Sequence, residues 1–354
     1  MNTLSGIRLP GAGLLAALAF LALSAHAAPI VAPAGAPHAP GPAEMGSHPI
    51  DSKTYNEVWT WQARLNGSMD LLVNFTRGNF GSFKDPVCGA NVLLVGFGGK
   101  THSVAREYPK SNFSWDPGAA RIQVHKQIWA EGLPPQRHHL RFATTKKGVE
   151  WLVDLEFTQI APSLVRGNGV WKLGGHAFGQ VIHVPWAKVS GTIAVGGDTV
   201  AVNGTATMDH TWQDDMAPEI VSRTIRWRTT GASGAWETAF LVRPEDGKGV
   251  AGYALRKGPA GTEMRVPQSW EAAESKKVGG IKEWPTVLLV DYGPAGRDSV
   301  SFGDAWAKTS VLDEFEGVTR WAVKKFLGGE VVDYRGPAKI NGRPGAYVNA
   351  FVKD

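Results

Sequence analysis

The chain has 354 residues, of which 43% are hydrophobic and 19% charged, and its formal net charge is +5. Its basic residues are scattered in short pairs such as Lys146-Lys147 rather than gathered in a dense patch, which argues against nucleic-acid binding. The single cysteine, Cys88, excludes an intramolecular disulfide and is interpreted as a small buried hydrophobic residue. A mildly basic surface is compatible with peripheral contact to anionic membrane lipids.

The N-terminus has the three zones of a secretory signal. Arg8 precedes an apolar run from Leu14 to Leu23, and small residues follow around Ala27. The apolar run is too short to span a bilayer, so we expect residues 1–27 to be a signal peptide and the mature protein to be periplasmic or secreted. Residues 28–50 are rich in Ala, Pro and Gly and nearly lack large apolar side chains, which predicts a flexible leader.

The remaining chain predicts an all-β protein. Strand-like segments recur at short spacing in both halves, separated by Gly, Asn, Asp and Pro, a pattern typical of antiparallel sandwiches and barrels. We expect two β-barrel or sandwich domains, 51–215 and 216–354, joined near a polar interruption at Gln213–Glu219. A short helix is predicted at Trp270–Ser275, and the pattern of Phe315–Phe326 fits either a helix or a strand.

The most informative segment runs from Asn203 to Asp215, because it combines acidic, imidazole, indole and amide side chains. Side chains alternate between the two faces of a strand. One face would therefore carry Thr205, Thr207, Asp209 and Thr211, and the other Ala206, Met208, His210 and Trp212. A carboxylate on a half-buried strand needs a polar partner, so this segment is either a structural polar cluster or a ligand-facing site.

Asp209-His210 with Trp212 is the most specific part of a wider set of motifs. The other segments of the set are Asn56–Trp61, Trp186–Ile193 leading into Gly204–Trp212, Arg223 with Arg226-Trp227, Trp321–Lys324, Arg335-Gly336 and Asn341-Gly342. Together these segments resemble the lipocalin-like superfamily that includes AttH-like proteins, carotenoid hydratases (hydroxyneurosporene synthases) and the yeast survival factor family. The resemblance implies two lipocalin-like β domains with the Asp209-His210 strand near their junction, and a large apolar molecule as ligand or substrate.

Two roles compete for this strand. A hydratase needs a carboxylic acid whose pKa is raised by apolar surroundings, and Asp209 is the candidate acid. His210 would then orient water or act as a base. Alternatively, both side chains are structural, and Asp209 keeps the domain junction in register through Arg223 or Arg226. The residues predicted to contact a ligand are Trp186, Met208, Trp212, Arg223, Arg226 and Trp227.

The sequence suggests neither a metal nor a cofactor. His176 and His183, for example, have no Cys or carboxylate partner at the spacing of a metal site. The leading functional hypothesis is an exported lipocalin-like protein that binds or carries an apolar lipid or isoprenoid. The alternatives are a cofactor-independent hydratase, cyclase or isomerase that uses Asp209 as an acid, and a structural or partner-binding β protein.

Overall fold

The computed structural model describes residues 30–81, 84–230, 233–278, 281–310, 324–325 and 329–353. Two large antiparallel sheets account for most of this part of the chain, which confirms the predicted all-β fold. The predicted signal peptide and most of Phe315–Phe326 lie outside the described residues. Within those ranges, no helix combines the length and the hydropathy that a membrane span requires.

Most of the secondary-structure elements are strands. In chain order they are β1 (Pro37–His38), α1 (Pro42–Met45), β2 (Asn56–Leu65), β3 (Met69–Phe80), β4 (Lys84–Phe97), β5 (Lys100–Pro109), β6 (Ser114–Asp116), β7 (Arg121–His125), β8 (Ile128–Glu131), β9 (His138–Lys146), β10 (Val149–Thr158), β11 (Val165–Arg166), β12 (Val170–Leu173), β13 (His176–Val195), β14 (Asp198–Gln213), α2 (Ala217–Ile220), β15 (Val221–Thr229), β16 (Glu237–Pro244), β17 (Ala251–Gly258), β18 (Gly261–Arg265), β19 (Ser269–Val278), β20 (Ile281–Asp291), β21 (Arg297–Phe302), β22 (Ala307–Ser310), β23 (Glu330–Ile340) and β24 (Arg343–Lys353). Short 3-10 turns lie at Lys110–Asn112, Ser233–Ala235 and Gly293–Ala295.

The first sheet has the strand order β5-β4-β3-β2-β14-β13-β10-β9-β8-β7-β6, with β12 added to β13. Its strands alternate as the sequence predicts; on β10, for example, Trp151, Val153 and Leu155 are buried. The sheet curls, because Val104 near one edge and Ile122 near the other belong to the same hydrophobic core. Strong curvature of this kind encloses one face of a large sheet and leaves the other free to pack elsewhere.

The second sheet has the order β18-β17-β16-β15-β24-β23-β21-β20-β19, with β22 added to β23. Its enclosed core is rich in aromatic side chains, including Trp227, Trp284, Tyr334 and Tyr347. Odd-numbered residues of β15, such as Ile225 and Trp227, face this core. Even-numbered residues of β15 therefore face the first sheet.

A third apolar cluster joins the sheets, with Phe178, Ile182 and Trp186 from β13 packed with Phe240 and Tyr253 from the second sheet. Buried polar contacts cross the same junction. The Tyr253 hydroxyl accepts a hydrogen bond from the backbone N–H of Ile182 at 2.9 Å, and Gln180 Nε2 donates to the Phe240 carbonyl at 2.8 Å. The junction is therefore packed like a protein core and fixes the relative position of the two sheets.

The segment from residue 30 to residue 50 differs from the flexible leader that its composition predicts. Val31 forms a β-bridge with Lys172, Pro37–His38 pairs with Val165–Arg166, and Met45 is fully buried in the first core. The composition argument failed because a few apolar side chains, among them Ile30, Met45 and Ile50, together with several backbone acceptors, suffice to hold the segment in place. The Met45 carbonyl, for example, accepts a hydrogen bond from buried Trp59 Nε1 at 3.1 Å.

The helix predicted at Trp270–Ser275 is also wrong, because this segment belongs to strand β19 at the edge of the second sheet. Ala272, Ala273 and Glu274 favour helix locally. Pairing with β20, in which Trp270 lies opposite Val290, outweighs that preference and buries the Trp270 side chain. Tertiary contacts commonly override weak local propensity in this way.

Candidate functional site

Strand β14 lies in the middle of the first sheet and presents Asp209 to the second sheet. Asp209 is only 5% exposed. Arg226 on β15 donates hydrogen bonds from Nε to both carboxylate oxygens and from Nη2 to Oδ1, each at 3.2 Å. The Arg226 guanidinium also lies 3.5 Å from the ring centroid of Phe240. Burial raises the pKa of Asp209, whereas the charge and hydrogen bonds of Arg226 oppose this rise.

A small inner pocket adjoins Asp209 at the junction. Its volume is about 10 Å³, which corresponds to space for about one water molecule. Polar atoms surround it because Gln62, Thr207, Asp209, Arg228 and Thr238 contribute to its walls. The apolar part of the lining comes from Ile182, Met208, Trp227, Ala239 and Phe240. A water there would have the several hydrogen-bonding partners that a buried water needs.

A larger outer cavity of about 210 Å³ lies next to this pocket, since Gln62, Arg226 and Phe240 line both spaces. Most of its walls are the facing surfaces of the two sheets, and Arg223 and Phe351 line it from the side of the second sheet's core. The lining residues from the first sheet are Asn56, Val58, Thr60, Gln62, Asn74, Phe178, Thr211 and Gln213. The lining residues from α2 and the second sheet are Ala217, Val221, Arg223, Thr224, Arg226, Phe240, Val331, Asp333, Arg335, Ala350, Phe351 and Val352. Val58, Val331 and Val352 are half-buried, whereas Thr60 and Arg335 are buried. The cavity therefore has both a partly exposed side and a deep side.

The opposite face of β14 carries a separate buried polar cluster around Glu57 and His210. Glu57 Oε1 accepts hydrogen bonds from the His48 backbone N–H at 2.7 Å and from His210 Nε2 at 3.0 Å. Its other oxygen accepts from Ser47 Oγ at 2.6 Å and from the Tyr55 hydroxyl. Burial alone would raise the pKa of Glu57, but the hydrogen bonds from His210, His48 and Ser47 outweigh it and lower that pKa.

His210 has no direct access to either cavity. Its Nδ1 lies 3.1 Å from the Glu44 carbonyl oxygen and its Nε2 contacts Glu57. Its ring stacks on Trp59 with centroids 4.4 Å apart. Burial lowers the pKa of His210, and the hydrogen bond to Glu57 opposes this. Since both ring nitrogens face oxygen acceptors, His210 anchors the segment around Glu44 and is not placed to act on a ligand in the cavities.

His48, Glu57 and His210 are also the group, among the described residues, whose ligand atoms could hold a metal ion, because these atoms all lie within 4.8 Å of one another. Two imidazoles and a carboxylate are a donor set that suits zinc. Glu57, however, already accepts from four donors. A metal would have to displace some of these hydrogen bonds, so the donor set fits a buried hydrogen-bonded cluster better than a metal centre.

The structure separates the sequence-predicted site residues into several environments. Asp209, Met208 and Trp227 line the inner pocket, Arg226 lines both spaces, and Arg223 lines the outer cavity. The other three predicted residues, His210, Trp186 and Trp212, line neither space. Of the two arginines expected to hold Asp209, only Arg226 does so; Arg223 Nε instead donates to Asn349 Oδ1 at 2.9 Å.

Several lining residues escaped sequence reasoning. Asn56, Val58, Thr60 and Gln62 lie on one face of β2, and their alternation is visible in the sequence. Arg335 stands in a segment that carries the family resemblance. Neither signal shows which surface faces these residues, because that depends on how the two sheets pack.

Solved structures share this fold at low sequence identity. A candidate AttH protein from Nitrosomonas europaea is 18% identical, with 91% of this chain and 99% of that chain aligned and a TM-score of 0.58. CghA in complex with Sch210972 is 10% identical over 85% of this chain and 89% of that one, with a TM-score of 0.54. Kievitone hydratase from Nectria haematococca is 13% identical over 84% and 89%, with a TM-score of 0.49.

No protein-family model matches the chain, and no curated protein matches it. The likeness to the AttH protein and to CghA confirms the predicted resemblance at the level of the fold. Because fold does not determine function, the site itself must carry the functional argument.

Proposed function

We propose that this chain is an exported protein that binds a small, largely apolar molecule, such as a lipid or isoprenoid derivative, in the outer cavity between its two sheets. The observation that supports this is the cavity itself. It combines aliphatic and aromatic walls with a few convergent polar groups, among them Arg226, Arg335 and Gln62. Ligand pockets typically have this composition. Export rests on the N-terminal sequence alone.

The size of the cavity limits the ligand. Pockets for drug-sized molecules commonly measure roughly 300–1,000 Å³, whereas this cavity measures about 210 Å³. It therefore suits a small molecule, or one end of a longer molecule that extends past the half-buried side chains of Val331 and Val352. A ligand that enters with its polar end near Arg226 would keep that end hydrogen-bonded and bury its apolar part.

The test fills the cavity without touching its charged groups. Thr224 is a half-buried lining residue on β15, so Thr224→Trp should occupy the space that a ligand needs. Val200→Trp is the matched control, because it adds the same ring to an exposed strand position. Fatty acids, long-chain alcohols and isoprenoids would be screened for their effect on melting temperature.

A molecule that binds only the folded state stabilises it by about 2.7 kcal/mol at a hundred times its Kd. We expect at least one probe to raise the melting temperature of the wild type and of Val200→Trp, but not that of Thr224→Trp. If no probe shifts the wild type, and organic extracts of the purified protein contain no bound molecule, binding in this cavity is refuted.

A second candidate function is a cofactor-independent hydratase or isomerase. The observation that favours it is the water-sized inner pocket beside Asp209, which shares Gln62, Arg226 and Phe240 with the lining of the outer cavity. In this arrangement a buried carboxyl group, an ordered water and a bound alkene would lie side by side. Asp209 would protonate the double bond only if its raised pKa keeps a fraction of it protonated despite Arg226.

The enzyme hypothesis requires turnover. Isoprenoid alkenes would be incubated with the protein in ¹⁸O-labelled water, and products would be analysed by mass spectrometry for an added labelled hydroxyl group. Product that forms with the wild type and disappears in a folded Asp209→Asn variant would establish catalysis. Unchanged substrates in all samples would leave binding as the function of the site.

A further inference from the structure

A second group of polar side chains, distinct from the Asp209–Arg226 pair, lies against aromatic residues of the second sheet's core, where that core adjoins the outer cavity. Arg223 on β15 pairs in register with Arg243 on β16, so two guanidinium groups are neighbours. Arg223 is 8% exposed, and its guanidinium carbon lies 4.5 Å from the ring centroid of Phe351. The Arg243 guanidinium carbon lies 4.8 Å from the Trp270 ring centroid. Two cations thus share one aromatic environment.

Within the part of the chain that the structure describes, these two cations have no carboxylate partner at ion-pair distance. In the described ranges no Asp or Glu oxygen forms an ion pair with Arg223 or Arg243, and exposed Glu283 acts on them only from a longer distance. Burial, reinforced by the charge of Arg243, lowers the pKa of Arg223 to about 9. Burial likewise lowers the pKa of Arg243. Buried charges are ordinarily paired, since an unpaired one is costly to desolvate.

Buried donors without acceptors surround the same position. They are Arg223 Nη2, Arg243 Nε, Asn349 Nδ2 and Trp270 Nε1. Asn349 belongs with this group because its Oδ1 accepts from Arg223 Nε at 2.9 Å. Native structures satisfy most buried donors. Four unsatisfied donors beside two unpaired cations indicate that the missing partner is an acceptor with negative charge.

We propose that Arg223 and Arg243 bind an anionic group, a phosphate or a carboxylate, with Asn349 and Trp270 as additional donors. Guanidinium groups recognise such oxyanions through paired N–H donors. Arg223 and Phe351 also line the outer cavity, so the anion has a route from that space. It is either a free ion or the head group of a molecule whose apolar part lies in the outer cavity.

The experiment uses inorganic phosphate, acetate and octyl phosphate as probes, each compared with sodium chloride at equal ionic strength. Binding is measured by thermal shift and titration calorimetry near neutral pH, where the arginines remain charged. The test variants are Arg223→Gln and Arg243→Gln. Arg256→Gln is the control, because Arg256 forms a half-exposed ion pair with Glu263 at 2.8 Å.

We expect phosphate or acetate to raise the melting temperature of the wild type saturably, beyond the effect of chloride. Each test variant should weaken the binding at least tenfold, and the control should leave it unchanged. The difference in melting temperature between Arg243→Gln and the wild type should also change sign when an oxyanion is added. Without an oxyanion, Arg243→Gln should melt at or above the wild-type temperature because it removes an unpaired charge; with phosphate it should melt below it.

Octyl phosphate distinguishes the two sources of the anion. A head group with an apolar tail predicts that octyl phosphate binds at least tenfold more tightly than inorganic phosphate, and that Thr224→Trp removes this advantage. Equal affinities identify a free-ion site. If phosphate, acetate and chloride stabilise the wild type equally, the proposal is overturned, even if the variants fail to fold. Because neutral apolar probes test the outer cavity separately, that result would leave the proposed function standing.

Discussion

Replacing Asp209 by Asn tests whether this carboxylate holds the two sheets together. The substitution keeps the size of the side chain and one oxygen acceptor, but it leaves Arg226 without its counter-charge. The side chains of Asp209 and Arg226 are 8% and 18% exposed, so solvent screens the pair poorly. Removing one partner of a buried pair typically costs about 3–5 kcal/mol. The retained acceptor and the Phe240 ring that stacks on Arg226 should reduce the cost below this range, to about 2–3 kcal/mol.

Urea unfolding followed by tryptophan fluorescence would measure this change. The double-mutant cycle with Arg226→Met should show a coupling energy of about 2 kcal/mol, because the two side chains touch. Glu263→Gln is the matched control: it breaks the Arg256–Glu263 pair, whose side chains are 39% and 38% exposed, and should cost less than about 1 kcal/mol. If Asp209→Asn costs no more than this control, Asp209 does not stabilise the junction.

Three further predictions concern the first sheet. Burial lowers the pKa of His138 to about 4, below its unfolded value of about 6.5. Its neutral ring therefore stabilises the fold above pH ~6.5, and this contribution is lost as the pH falls toward 4. Between pH 7 and pH 5, the free energy of unfolding should fall less for His138→Gln than for the wild type. A Cβ at Gly179 would overlap the Trp212 indole, so Gly179→Ala should destabilise by about 1–3 kcal/mol, whereas Gly234→Ala, whose Cβ meets open space, should not change the melting temperature comparably. Met45→Ala should lower the free energy of unfolding by about 2–5 kcal/mol and expose residues 30–50 to limited proteolysis. The wild type should be protected from cleavage there. Rapid cleavage of the wild type in this segment would contradict the observed packing.

The sequence could predict that Asp209 and His210 lie on opposite faces of β14, because strand alternation is a local geometric property. Asp209 faces the second sheet through Arg226, and His210 faces the first core beside Trp59, as that alternation requires. The identity of the partners could not be predicted in the same way. Glu57 lies 153 residues from His210, and only the pairing of β2 with β14 brings them together.

The segment before residue 50 shows a different limit of sequence reasoning. Its composition correctly indicates that it cannot form a core of its own. It nevertheless lies against a core formed by other residues, where Met45 fills a space and the Glu44 carbonyl meets His210. Whether such a segment packs depends on unsatisfied groups elsewhere in the fold, which a composition argument does not contain.

Arg223 and Arg226 show how side-chain alternation along one strand gives two arginines different partners. They are three residues apart on β15, so alternation places them on opposite faces of the second sheet. Arg226 meets Asp209 at the junction and is neutralised there. Arg223 enters the aromatic core beside Arg243, where the described chain offers it an amide but no carboxylate. An added oxyanion should therefore act through Arg223, while loss of Arg226 should weaken the junction and leave the response to phosphate intact. Strand alternation thus distinguishes Arg226, which joins the two sheets through Asp209, from Arg223, which has no carboxylate partner among the described residues.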